Sequence, residues 1–177
     1  MAASTSREDP LGPNEADTVD LDLKPGESPT DGITVRELRS DDLNRLVRID
    51  RAATGEDRLG YYEKRIETAL RESGIRVSLA AEIDGLLVGF VIGRVYHGEY
   101  GHMDTYATID TIGVDPEFRG RRVAHALLDQ LIHNLRGLRV EHIQTEVEWD
   151  QWDLLGFLRD VGFRPAPRIA LEYPLAP

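Results

Sequence analysis

The sequence predicts an α/β fold built on one mixed β-sheet, antiparallel in its first half, with a parallel strand pair in its second half and helices on both faces. Two observations carry this prediction. Val77, Leu79, Ala81 and Ile83 alternate along one strand, Asp84-Gly85 supplies the positive φ angles of a tight hairpin turn, and Leu86 to Tyr96 returns as an apolar strand. Further along, a buried-strand pattern, a basic loop, an amphipathic helix and a short second strand follow in that order over residues 106–147. Such a strand–helix–strand crossover within one sheet makes its two strands parallel and its connection right-handed.

The elements follow from local patterns. Ile33, Val35 and Leu38 alternate with polar residues as in a half-buried strand. Ser40 stands where a helix N-cap belongs, ahead of Leu43, Leu46, Val47 and Ile49 at helical spacing. A second helix is expected from Leu59 to Glu72, with Tyr62, Ile66, Ala69 and Leu70 on one stripe. The hairpin places Val77, Leu79, Ala81 and Ile83 on its first strand and Leu86 to Tyr96 on its second, and residues 97–104 read as a loop. The strand from Tyr106 to Val114 ends at Asp115-Pro116. The helix Val123 to Leu135 turns Ala126, Leu127, Leu131 and Leu135 inward and His125, Asp129, His133 and Arg136 outward. A strand from His142 to Val147, a helix from about Gln151 to Asp160 and a closing strand from Arg168 to Tyr173 complete the domain, with no internal repeat.

Composition divides the chain. Hydrophobic residues make up 41% and charged residues 30%, which is globular composition. Residues 1–32, however, hold eight acids against Arg7 and Lys24, so this stretch carries −6 of the total −11, together with four of the nine prolines. Such a segment buries too little apolar surface to offset its ordering entropy and is expected to be a disordered acidic tail, with residues 33–177 as the single folded domain. Its alternating stretch Thr18 to Leu23 could instead dock on an edge strand.

Several function classes are excluded or disfavoured. There is no cysteine, which removes disulfide scaffolds, thiolate metal sites and cysteine nucleophiles. No signal-peptide core and no membrane-spanning run is present, so a cytoplasmic protein without membrane attachment is expected. A sequence pI near 4.9 repels nucleic acid, and the one basic cluster is small and lacks interleaved aromatics, so no nucleic-acid partner is expected. His125, Asp129 and His133 recur every four residues on one helix, but the first and third are too far apart to share an ion. They read as a solvated face, and no metal site is expected.

The basic loop is the strongest chemical signal. Arg119, Gly120, Arg121 and Arg122 lie between a buried strand and the first turn of a helix, where unpaired backbone N–H groups and the positive end of the helix dipole stabilise an anion. The arginines add bidentate donors, and Gly120 lets the backbone turn and approach a ligand. Taken alone, the same residues also fit a solvated cluster that balances nearby acids.

Residues 110–128, DTIGVDPEFRGRRVAHALL, resemble the acetyl-CoA-binding motif of the GNAT superfamily of N-acyltransferases, in which Gln or Arg is followed by two variable residues, Gly, one variable residue and Gly or Ala. Here Arg119 opens the motif and Ala124 closes it, and Gly162-Phe163 is similar to a Gly-Phe pair that recurs after the last helix of that family. The resemblance spans about Ile33 to Tyr173 and implies a GNAT-like sheet. It further implies that acetyl-CoA is the co-substrate. Arg119, Gly120, Arg121, Arg122, Val123 and Ala124 would hold its pyrophosphate, and Ile112, Gly113 and Val114 would pair with its pantetheine arm. In such proteins the two parallel strands splay apart where the thioester sits. One position departs from the motif: Arg122 stands where the family has its central glycine.

Acetyl transfer to an amine needs a proton acceptor for the ammonium and a route for the leaving thiolate. Glu146 and Glu148, at the end of the second parallel strand, and Asp110, on the first, are the candidate bases. The run Thr-Glu-Val-Glu-Trp-Asp-Gln, residues 145–151, resembles the stretch of N-terminal protein acetyltransferases in which a glutamate is the base, and by position that glutamate is Glu146. Leu158 stands where many relatives carry a tyrosine acid, so Tyr106 or Tyr96 would take that role, or the thiolate would leave unaided. Trp149 and Trp152 either wall an acceptor pocket or anchor the core. The expected activity is acetyl transfer from acetyl-CoA to an amine acceptor, whether a protein N-terminus, a lysine or a small cationic amine. A homodimer is among the assemblies open to the chain. The alternative function is a catalytically degenerate acyl-CoA-binding sensor or protein-interaction module.

Overall fold

The hairpin centred on Asp84-Gly85 forms the spine of the sheet. In the computed structural model, which describes residues 32–71, 77–97 and 105–175, Asp84 and Gly85 take φ angles of 52° and 75° and join β2 (Leu79–Ile83) to β3 (Leu86–His97). β1 (Ile33–Glu37) pairs antiparallel with β2 on the outer side, and β4 (Thr105–Val114) pairs antiparallel with β3. β5 (His142–Thr145) then lies parallel to β4, so the sheet reads β1-β2-β3-β4-β5. The expected tail, apart from Gly32, and loop residues 98–104 lie outside the described residues.

Helices cover both faces. α1 (Leu43–Thr54) and α2 (Leu59–Arg71) seal one face around Leu46, Ile49, Tyr62, Ile66, Phe90 and Ile92. α3 (Val123–Gly137) and α4 (Trp152–Asp160) seal the other, where Leu127, Leu128 and Leu131 pack against Val88, Val91 and Ile109. Asp50 of α1 is buried, and Tyr62 Oη donates to it at 2.8 Å and Arg58 Nε also at 2.8 Å; these bonds satisfy a carboxylate that would otherwise be costly to bury. The same carboxylate and burial together push the Tyr62 phenol well above its ordinary range, burial being the larger cause.

Three local expectations are corrected. Ser40 is not the N-cap of α1: residues 40–42 form a 3-10 turn, and Asp42 precedes the helix. The Asp42 carboxylate instead accepts from Arg39 N–H and from both terminal nitrogens of Arg36, which ties the turn to β1. His125 does not point freely to solvent, because its ring packs edge-on against Phe157 of α4 with centroids 5.1 Å apart. Finally, residues 168–173 form no strand. They pair with nothing in the sheet, and Ile169, Leu171 and Tyr173 are 87%, 90% and 86% exposed.

Gly113 faces Phe90 so closely that an added Cβ would lie 2.7 Å from its Cε1 atom. Phe90 is wholly buried and has nowhere to move. Gly113→Ala is therefore expected to lower stability by about 1–3 kcal/mol, read as a reduced urea midpoint at unchanged m-value.

Candidate active site

The site arises where the parallel pair comes apart. β4 and β5 are in register from Tyr106/His142 to Ile109/Thr145, and there β5 ends, two residues short of the expected Val147. Thr145 Oγ1 closes the ladder by donating to the Ile109 carbonyl at 3.0 Å. β4 continues for five more residues, Asp110 to Val114, with no β5 partner along that edge. Ile112, Gly113 and Val114 thus present an open backbone edge, the type of surface that takes an extended ligand as an added strand.

At the parting point β4 carries a bulge. The register shifts between Ile92 and Gly93, which face Thr111 and Ile109, leaving Asp110 as the extra residue. Ala107 and Ile109 face the α3 side before the bulge, and Ile112 and Val114 face it afterwards. Asp110 and Thr111 both turn toward α2, where Thr111 Oγ1 and Tyr61 Oη are 3.1 Å apart. Asp110 is clasped by Arg94, whose terminal nitrogen donates at 3.0 Å and whose Nε lies at 2.9 Å, with Arg65 at 3.5 Å. None of Tyr61, Arg65, Arg94 or Thr111 stood out in the sequence. The signal was the break in alternation within Thr105–Val114, where two polar residues in succession shift the apolar phase.

At its far end, β4 is anchored by Asp115. This buried residue accepts from Arg45 of α1 at 2.6 Å and from Glu117 N–H at 3.1 Å, and its own N–H donates to Val88 O at 2.8 Å. The chain then passes through a 3-10 turn at residues 116–118 and enters the arginine loop. Arg119 and Arg121 are exposed, and Gly120 has φ 76° with open space around its α-carbon. Arg122 is the N-cap of α3 and adopts the left-handed conformation, φ 61° and ψ 19°. This position requires a backbone state that glycine enters freely and arginine enters at a cost of about 1 kcal/mol. Val123 and Ala124 follow in the first turn of α3, whose leading N–H groups have no intrahelical acceptor. The loop therefore fits a polyphosphate in its donors, its glycine turn and its charge.

The candidate acid–base groups separate. Glu146 and Glu148 are exposed just beyond the end of β5, with Trp149 and Trp152 beside them at 88% and 72% exposure, so the tryptophans are not core anchors. Tyr106 lies three residues before the parting point, about 10 Å along the strand. Its ring is stacked between Tyr96 and His142 at centroid distances of 5.2 and 5.6 Å. Leu158 is buried against α3. Among the described residues, no group of His, Asp and Glu is arranged to hold a metal ion, and no helix is long and apolar enough to cross a membrane.

Residues 38–163 match the sequence model of the acetyltransferase (GNAT) family. The chain belongs to that family. It is an acetyl-CoA-dependent N-acetyltransferase. Solved structures share its fold. An aminoglycoside N-acetyltransferase, AAC(6')-Iy in complex with CoA, is 17% identical over 87% of this chain and 100% of its own, with a TM-score of 0.69. A transcriptional regulator from Bacillus halodurans is 18% identical over 81% and 99%, also at 0.69. Ard1 from Thermoplasma volcanium is 25% identical over 75% of this chain and 83% of its own, at 0.62.

The Arg122 conformation gives this GNAT protein a testable signature. Burial holds the His125 imidazole below its ordinary range, and the nearby Arg122 charge lowers it further. Arg122→Gly is expected to relieve backbone strain, so that stability holds or rises by up to about 1 kcal/mol, and to move the His125 titration upward. Urea unfolding and an NMR pH titration of the His125 ring check the two effects.

Proposed function

We infer that this acetyltransferase acts on a cationic primary amine, with a protein N-terminus as the preferred acceptor and Glu146 as the group that receives its proton. The observation that carries this reading is the division of labour among the carboxylates at the parted strands. Asp110 is committed to Arg94 and Arg65, whereas Glu146 is solvent-exposed, one residue beyond Thr145. The alternation of β5 places His142 and Gln144 on the face of Tyr106 and Thr108, and Glu146 is next in that series. Glu148 and Asp150, both exposed nearby, add negative charge that attracts an ammonium and repels an acidic acceptor.

The reaction balances with groups available to the chain. The amine, after losing a proton through water to Glu146, attacks the thioester carbonyl; a C–N bond forms and the C–S bond breaks. A thiol has an ordinary pKa of about 8.5, so the thiolate can leave without a strong acid, in keeping with an apolar Leu158 and with Tyr106 lying back along β4. The edge from Ile112 to Val114 would hold the pantetheine arm. Residues Arg119 to Ala124 would hold the pyrophosphate, with Arg122 adding charge at the price of its strained backbone. The N-terminal branch is favoured by the likeness of residues 145–151 to the corresponding stretch of N-terminal acetyltransferases. A small polycationic acceptor is the second reading, favoured by the fold shared with the aminoglycoside enzyme.

Calorimetric titration should show acetyl-CoA binding that weakens about tenfold or more in Arg119→Ala, the loss of one charge-assisted contact. No weakening would place the phosphates elsewhere. Glu146→Gln should lower kcat by about 10²–10⁴-fold while leaving acetyl-CoA affinity unchanged. Assayed on peptides with a free α-amine, on lysine peptides with a blocked N-terminus and on an aminoglycoside, the enzyme is expected to turn over the first fastest. Faster turnover of either alternative would reassign the acceptor.

A further inference from the structure

Acetyl transfer moves two protons, and Glu146 accounts for one. After the neutral amine has attacked, its nitrogen still carries a surplus proton, while the sulfur that leaves must end as a thiol. A side chain that reaches both atoms can pass that proton from one to the other. Leu158 has no proton to give, and Tyr106 lies back along β4 from the parting point.

The direction of β4 fixes where such a group has to be. The arginine loop follows the end of the strand, so a donor with its pyrophosphate at Arg119 to Ala124 runs its arm backward along the open edge, from Val114 to Ile112. Its thioester then falls beside Thr111 and Asp110, a placement that rests on the functional reading above. Thr111 is half-buried and turns its hydroxyl toward α2, where Tyr61 Oη lies 3.1 Å away. Tyr61 is 37% exposed and so open to an incoming molecule. Ile92, Arg94 and Tyr96 alternate on the face of β3 that α1 and α2 cover, and Tyr106 pairs with Tyr96. Glu146, next in the series of His142 and Gln144, belongs to that same face. The Tyr61 hydroxyl beside β4 and the carboxylate past β5 therefore share one face of the parted strands.

Tyr61 is held in place from three sides. Arg65 and Arg58 lie over its ring, 5.2 and 5.9 Å from the centroid, and the ring of Tyr62 meets it edge-on at 5.0 Å. Each of these neighbours is itself tied down: Arg65 to Asp110, and both Arg58 and Tyr62 to Asp50. A hydroxyl fixed in this way needs no ordering at the moment of reaction.

We propose that Tyr61 is a further catalytic residue, the group that delivers the proton to the departing sulfur. With Thr111 Oγ1 donating to the Tyr61 oxygen, the phenol O–H is free to donate to sulfur. As the C–S bond breaks, sulfur takes the Tyr61 proton and the Tyr61 oxygen takes the surplus proton of the newly bonded nitrogen. The phenol ends as it began, and the products are an amide and a thiol. Thr111 is a positioning residue in this step, since its hydroxyl holds that of Tyr61 without touching the reacting atoms.

Tyr61→Phe removes the hydroxyl and keeps the ring between its arginines. At saturating acetyl-CoA, with whichever of the three acceptors named above is turned over fastest, its kcat is expected to fall about 10²-fold, with melting temperature and calorimetric acetyl-CoA affinity unchanged. Thr111→Val is expected to lose about tenfold in kcat, and Thr111→Ser to recover most of it, which a role in packing alone would not produce. A kcat within about twofold of wild type in Tyr61→Phe, or a weakened acetyl-CoA affinity at full kcat, overturns the proposal. A slow Tyr106→Phe beside a full-rate Tyr61→Phe does the same and returns the role to Tyr106. Glu146→Gln, assayed in parallel, keeps the two ideas apart. If it is slow while Tyr61→Phe is not, the Tyr61 role alone falls; if it runs at full rate while Tyr61→Phe is slow, the base moves elsewhere and the Tyr61 role stands.

Discussion

Parallel strands stay together only while each finds the other's backbone, and here β5 stops four residues after it begins. β4 must then supply five residues whose edge groups on that side face no strand, although it lies inside the sheet between β3 and β5. The open edge is possible because β4 is held by other means. Its opposite edge pairs with β3 as far as Val114/Gly89, and Asp115 ties its end to Arg45 of α1 and to Val88 of β3. On the proposed reading this strand, with one free edge, would be the scaffold that aligns the acyl donor's arm.

The bulge converts that scaffold into a two-sided site. The extra residue turns Asp110 and Thr111 together toward α2, where Arg94, Arg65 and Tyr61 meet them. An ion pair this sheltered gains little net stability, because desolvation offsets most of the attraction. Its effect is conformational: a carboxylate held by two guanidinium groups fixes the bulge, and with it the direction of the strand beyond. That commitment ties up Asp110, whereas Glu146 and Glu148 beyond β5 stand exposed.

Electrostatics then divides the molecule. The chain carries a net charge of −11, yet the turn into α3 concentrates Arg119, Arg121 and Arg122 with the unpaired N–H groups of a helix start. On the proposed reading this local field would recognise a polyanionic donor against the global one, and the acidic stretch past β5 would favour a cationic acceptor. Arg122 holds, at this turn, the left-handed backbone that glycine enters freely.

Much of this was legible in the chain because the signals are local. Asp84-Gly85 needs only its own φ preferences to form a turn, and the alternation around it needs only the pleat; the crossover from β4 through α3 to β5 follows from the order of patterns. The arginine loop was readable for the same reason, since residue type and position relative to a helix start are properties of sequence. Elements that depend on a distant partner were not readable. Asp42 displaces Ser40 at the first helix because Arg36, on a strand, is there to bind it. His125 turns inward because Phe157 of another helix covers it. The surroundings of Asp110 and Glu146 diverge only when folding brings Arg65 and Arg94 to one carboxylate and leaves the other in water. The alternating residues 168–175 have the period of a strand, yet a strand exists only when an edge receives it, and that decision belongs to tertiary structure because every ladder hydrogen bond has its partner on another segment.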